Sequence, residues 1–176
     1  MPFAITLPFD HISASKIQAM WRHLAADGID ADRHQLGYAP HVTVAIYPDE
    51  TPLNRLRSAI EDTCRNWEPL PVRLSGLGVF PGDGAVLWAV PVVTAGLLAR
   101  HDAIHSALGD LNVHEHYRPG AWVPHVTLSG ALHDPGAALK ALLSGWEPIT
   151  GFLDRVELVS FRPVEVLLSS ACRGSD

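Results

Sequence analysis

The chain has 176 residues, of which 47% are hydrophobic and 18% charged, with a net charge of −6. At roughly 150 residues per domain this is one domain, spanning 1–176 and long enough to bury a core without disulfide or metal staples. The composition excludes a disordered chain, and the negative charge argues against broad wrapping of nucleic-acid phosphates, which needs a basic face.

Phe3 to Phe9 is short, apolar and partly β-branched, and reads as a buried strand. Ser13 or Ser15 is positioned to cap a helix that runs to about Asp27, with Ile17, Met20, Trp21 and Leu24 on one face. Gly28 stops that helix. Pro40 precedes a strand over His41 to Tyr47, and Thr51-Pro52 opens a second helix to about Trp67. Val72 to Phe80 and Ala85 to Val93 are strands joined by the turn Pro81-Gly82-Asp83-Gly84. A helix from Ala95 to Leu108 follows, then a polar, His-rich loop over Asn112 to Ala121. Val123 to Ser129 is a strand, Pro135 to Gly145 a short helix, and Phe152 to Phe161 and Glu165 to Ser170 the closing strands.

Cys64 and Cys172 form no framework and read as free thiols of a reducing compartment. The N-terminus has no basic region or long apolar run, and no stretch is long enough to span a bilayer. A cytoplasmic monomer without membrane contact is the expectation.

The second half repeats the first. Leu7-Pro8 is matched by Val90-Pro91, offset by 83, and Pro40-His41-Val42-Thr43-Val44 by Pro124-His125-Val126-Thr127-Leu128, offset by 84. Trp67-Glu68-Pro69 is matched by Trp146-Glu147-Pro148, offset by 79, and Phe80 loosely by Phe161, offset by 81. The order describes two copies of a strand–helix–strand–helix–strand unit related by a pseudo-twofold axis.

A strand has a period of two, so His41 and Thr43 share one face while Val42 and Val44 share the other; the same holds for His125 and Thr127. Under a twofold, two imidazoles face each other across a groove, each beside a hydroxyl. That arrangement suits in-line displacement at phosphorus. One neutral imidazole takes a proton from the attacking oxygen, one protonated imidazole gives a proton to the leaving oxygen, and the hydroxyls bind non-bridging oxygens. No metal or cofactor is required. His114 and His116 offer two ligands for a metal, with no carboxylate or cysteine spaced to complete the set. Gly76-x-Gly78 and Gly82-x-Gly84 lie between strands and are not a dinucleotide fingerprint. Asp27, Asp30 and Asp32 read as a solvated helix end, and the eight remaining histidines suggest no special role.

The two Pro-preceded H-x-T elements, half a chain apart, resemble those of the two-histidine (2H) phosphoesterase superfamily, and within it the bacterial branch called 2′-5′ RNA ligase or cyclic phosphodiesterase. The resemblance implies an α+β fold, bilobal, with antiparallel sheets around a central cleft. It implies hydrolysis of a 2′,3′-cyclic phosphate on a nucleotide or RNA end, or RNA ligation or simple nucleotide binding in the same cleft. His41 and His125 match the family histidines, and Thr43 and Thr127 the phosphate-binding hydroxyls. The expected partner is a small nucleotide or RNA terminus rather than an extended duplex. Several family members carry a basic residue shortly after the second element; here Ser129-Gly130 follow, and Arg118 is a candidate substitute. Tyr38, Tyr117 and Trp122 are further candidates for substrate contact, with core packing or a solvated loop as the alternative readings.

Overall fold

The computed structural model describes residues 1–174. In chain order the elements are β1 (Phe3–Pro8), α1 (His11–Ala26), α2 (Asp32–Gln35), β2 (His41–Tyr47), α3 (Leu53–Cys64), β3 (Leu70–Phe80) and β4 (Ala85–Pro91). Then follow α4 (Ala95–Ala107), a 3-10 turn (Glu115–Tyr117), β5 (Val126–Leu132), α5 (Pro135–Leu143), β6 (Ile149–Leu153), β7 (Arg155–Ser160) and β8 (Glu165–Ala171). Among the described residues the strands form two four-stranded sheets, ordered β2-β1-β7-β8 and β5-β4-β3-β6, with antiparallel pairing throughout. This is the mixed α+β, two-sheet, bilobal arrangement expected from the repeat. No helix among the described residues is long and apolar enough to cross a membrane.

The duplication is visible in the sheets, with an exchange. β1 and β2 start one sheet, and β4 and β5 start the other. The third strand of the first copy, β3, pairs with β4, while β7 of the second copy pairs with β1. Each sheet is therefore built from both halves of the sequence.

The stretch from Phe152 to Phe161 is not one strand. It breaks at Asp154, so that β6 joins β3 and β7 joins β1. The burial pattern explains the break. β6 alternates buried and exposed residues, whereas Val156 to Ser160 are buried on both faces, and one regular strand cannot serve both environments. At the break, the Asp154 N–H donates to the Pro8 carbonyl and its carbonyl accepts from Cys172 N–H. Both cysteines are free and buried.

The cap of α1 is Asp10 rather than Ser13 or Ser15. Its Oδ1 accepts from the N–H groups of Ile12 at 2.9 Å and Ser13 at 3.0 Å, and its Oδ2 from Phe152 N–H of β6 at 2.6 Å. An aspartate that caps a helix and pins it to a strand displaces a serine that could do only the first. Ile17, Trp21 and Leu24 are buried as the spacing predicts, and Met20 packs partly buried against them.

Two of the remaining histidines do have a role. His101 and His105 on α4 are buried, with ring centroids 4.2 Å apart. His105 Nε2–H donates to the Val44 carbonyl at 3.1 Å, and His101 Nε2–H to the Tyr117 carbonyl at 2.8 Å. Burial lowers both imidazoles below the ordinary value. They clamp β2 and the 3-10 turn onto α4.

Candidate active site

β2 and β5 are the edge strands of their sheets, and they approach each other. An edge strand leaves backbone carbonyls without ladder partners. Here indoles supply donors. Trp122 Nε1–H donates to the Thr43 carbonyl at 3.0 Å, and Trp21 Nε1–H to the Thr127 carbonyl at 3.1 Å. Each H-x-T element is thus fixed from behind: Val42 and Val44, Val126 and Leu128 are buried, while the histidines and threonines are half-buried on the opposite face.

That face closes on one cavity of about 270 Å³, which His41, Thr43, His125 and Thr127 all line. The two imidazoles are held alike. His41 Nδ1–H donates to the Ala39 carbonyl at 2.7 Å, and His125 Nδ1–H to the Val123 carbonyl at 2.8 Å. In each case the acceptor lies two residues earlier, and a carbonyl can only accept. The tautomer follows, with Nε2 left as the nitrogen that can take or give a proton.

The surroundings of the two rings differ. His41 lies against Tyr38, with ring centroids 4.8 Å apart. Burial pushes its imidazole down to about 4, with the Arg33 cation and the second imidazole adding to the effect. His125 meets the ring of Phe80 edge-on at 5.1 Å, and Phe80 stacks on Trp88 at 4.8 Å. The Trp88 indole packs directly against Gly78, where a Cβ would come within 2.6 Å of it, so the glycine is required for this close approach. Burial lowers the His125 imidazole as well. A second cavity of about 540 Å³, lined by Phe80, Val86 and Val123, adjoins the first and shares Arg33, Tyr117, His125 and Thr127 with it.

The other candidates separate clearly. Tyr38 lines the cavity through its ring, but its O–H donates to Glu157 at 2.8 Å and accepts from Thr6 at 2.7 Å. It is a buried support for His41 rather than an open stacking platform. Tyr117 lines both cavities. Arg118 lines neither; it faces a separate cavity with Asn112, His114 and Tyr47. Arg118 is the extended residue that ends the 3-10 turn, and the Tyr117 carbonyl before it is tied to His101. Trp122 is also absent from the cavity, stacked on His101 at 4.1 Å. His114 and His116 meet edge-on at 4.9 Å on the surface. Among the described residues no three His, Cys, Asp or Glu side chains converge as a metal-holding group.

Arg33 and Arg162, which no motif marks in the sequence, supply the cations of the first cavity. The acidic cluster is more than a solvated helix end. Asp27 is exposed, but Asp30 Oδ2 accepts from Ser129 Oγ at 2.5 Å and Gly130 N–H at 3.1 Å, and Asp32 takes a two-pronged bond from Arg162, 2.8 Å on each oxygen. The nearest local signal is that Arg162 directly follows Phe161, a landmark of the repeat.

A family model described as the 2′-5′ RNA ligase superfamily matches residues 8–165. No curated protein matches the chain. Among solved structures, the Thermus thermophilus protein TT0787 is similar at 19% identity and a TM-score of 0.64, with 100% of each chain covered. E. coli LigT complexed with 3′-AMP is similar at 16% identity and 0.62, with 98% of this chain and 99% of LigT covered. Kluyveromyces marxianus Usb1 gives 12% and 0.51, with 97% of each chain covered. At these identities the likeness is one of fold.

Proposed function

Because the chain belongs to the 2′-5′ RNA ligase superfamily, we propose that it is a metal-independent phosphoesterase opening a 2′,3′-cyclic phosphate on a nucleotide or RNA end. The observation that carries this reading is that both H-x-T elements line one cavity, each with Nδ1 committed to a backbone carbonyl. A cavity of about 270 Å³ suits a phosphate and a ribose edge better than a duplex. The complex of E. coli LigT with 3′-AMP supports a nucleotide in this fold.

In the proposed reaction a water oxygen attacks phosphorus while one Nε2 takes its proton. The bond from phosphorus to one ribose oxygen breaks, and the other Nε2–H protonates that oxygen. The hydroxyls of Thr43 and Thr127 donate to the non-bridging oxygens as negative charge builds on them. His41 takes the base role: its neutral form is strongly favoured by burial and by the nearby Arg33 cation. His125 takes the acid role. A second reading, ligation, places a 5′-hydroxyl where the water stands and runs the same proton transfers; the description of the matching family as a 2′-5′ RNA ligase superfamily favours it.

The test is a panel of 2′,3′-cyclic, 3′,5′-cyclic and 2′-5′-linked nucleotides, assayed with and without EDTA. Turnover of the 2′,3′-cyclic members, indifferent to EDTA, is the expected result. Loss in EDTA with recovery on added zinc would overturn the metal-independent mechanism, and no turnover of any member would overturn the phosphoesterase reading.

A further inference from the structure

We infer that Arg33, carried on α2 of the first half, is the phosphate-binding cation of this site and fills the place left empty at Ser129-Gly130. The inference rests on the phosphoesterase reading of the cavity and adds the group that grips the anion.

Four observations carry it. First, Arg33 lines both cavities, at the wall that they share with His125 and Thr127. Second, its side chain is 21% exposed and its Nε, sealed from solvent, has no hydrogen-bond partner, so the guanidinium is not fully bonded within the protein and keeps an exposed part for an anion. Third, the local carboxylates leave it underpaired. Asp32 Oδ2 lies 3.1 Å from Arg33 Nη2, yet the same carboxylate holds the fork of Arg162. Asp30 is engaged by Ser129 and Gly130 and by the Asp32 N–H at 2.7 Å. Fourth, a Cβ built on Gly130 would stand 3.9 Å from Arg33 Nη2. A basic side chain growing from position 130 would therefore compete for the space that Arg33 occupies. Gly130 keeps the space open, and Asp30 latches α2 to β5 so that Arg33 reaches it.

A cation at this point also disfavours protonation of His41, so Arg33 both binds the anion and keeps the proposed base ready to accept a proton.

The experiment titrates inorganic phosphate into the wild-type chain and the variants Arg33→Ala, Arg33→Ala/Gly130→Arg and Arg118→Ala, followed by amide NMR shifts in β2 and β5. Arg33→Ala should weaken phosphate about 10-fold or more, the scale of a lost charge-assisted contact. The double variant should recover most of the loss, and Arg118→Ala should bind as wild type. Unchanged binding in Arg33→Ala, or no phosphate binding by the wild-type chain, overturns the proposal. So does failure of Gly130→Arg to recover binding in a double variant whose spectrum shows the native fold. With 2′,3′-cyclic AMP as substrate, the acid limb of kcat/KM should move to higher pH in Arg33→Ala and return in the double variant, a shift that a merely structural arginine would not produce. If the wild-type chain turns over no cyclic nucleotide, the phosphoesterase reading fails while the phosphate titration still decides the role of Arg33.

Discussion

The two H-x-T elements share a sequence pattern, a tautomer and an indole clamp, yet stand in different company. His41 leans on Tyr38, whose hydroxyl is locked between Thr6 and Glu157, and has the Arg33 cation close by. His125 rests on the Phe80–Trp88 stack and borders the second, wider cavity. Duplication thus produced two equivalent side-chain geometries, and their neighbours made them unequal. The lesson is that the motif sets which ring nitrogens face the cavity, while the packing around it gives the two rings different surroundings.

The sharpest way to break this comparison is to remove each histidine in turn. His41→Ala and His125→Ala should each lower kcat/KM by about 10²–10⁴-fold, and the double variant should fall little further, since the two act as a unit. The pH profiles should separate them. Both imidazoles sit below the ordinary value of 6.5, so the protonated acid is lost as pH rises, and kcat/KM should peak below about pH 6.5 and fall toward pH 8. The residual activity of His125→Ala should lose that alkaline fall, and that of His41→Ala the acid limb. A wild-type optimum above pH 7.5, or a reversed assignment of the limbs, would overturn the division of roles.

A smaller effect comes from the hydroxyls. Thr43→Val and Thr127→Val keep shape and remove one donor each, so each should cost about 10-fold in kcat/KM. Unequal losses would show that the phosphate sits nearer one element.

The smallest effect concerns the clamps. Trp21→Phe and Trp122→Phe delete the indole donors to the Thr127 and Thr43 carbonyls. Each should lower stability in urea by about 1 kcal/mol and activity by only a few-fold. A loss of activity as large as that of a histidine variant would mean that the edge carbonyls position the reacting groups more tightly than the rest of the packing does.

Much of this was legible in the residues alone. Period-two alternation placed both His–Thr pairs on a face, and the repeat landmarks brought the two faces together. What escaped is long-range. No local pattern says that Asp30 will reach across to Ser129 and Gly130, 99 and 100 residues on, so Arg33 had no visible reason to enter the site while Arg118, nearer in sequence to His125, did. The cap on α1 was legible locally: Asp10 directly precedes the helix and makes two capping bonds, with the N–H groups of Ile12 and Ser13, and only its bond from the distant Phe152 N–H lies beyond local pattern. His101 and His105 sit on a helix whose inward face carries polar rings because the backbone opposite needs donors, a demand that sequence periodicity does not express.

The exchanged strands have a further consequence. A chain severed in the 81–84 turn would yield an N-terminal fragment with two strands of one sheet and one of the other, so neither fragment would own a complete wall of the cleft. The fragments would be held together by three antiparallel ladders, β1 with β7, β3 with β4 and β3 with β6. Two identical half-length chains, each lending a strand to the other's sheet, would reproduce the two central pairings as a symmetric homodimer. The present fold has the strand pairing such a dimer would have, and a single polypeptide can give its two histidines different neighbours where identical chains could not.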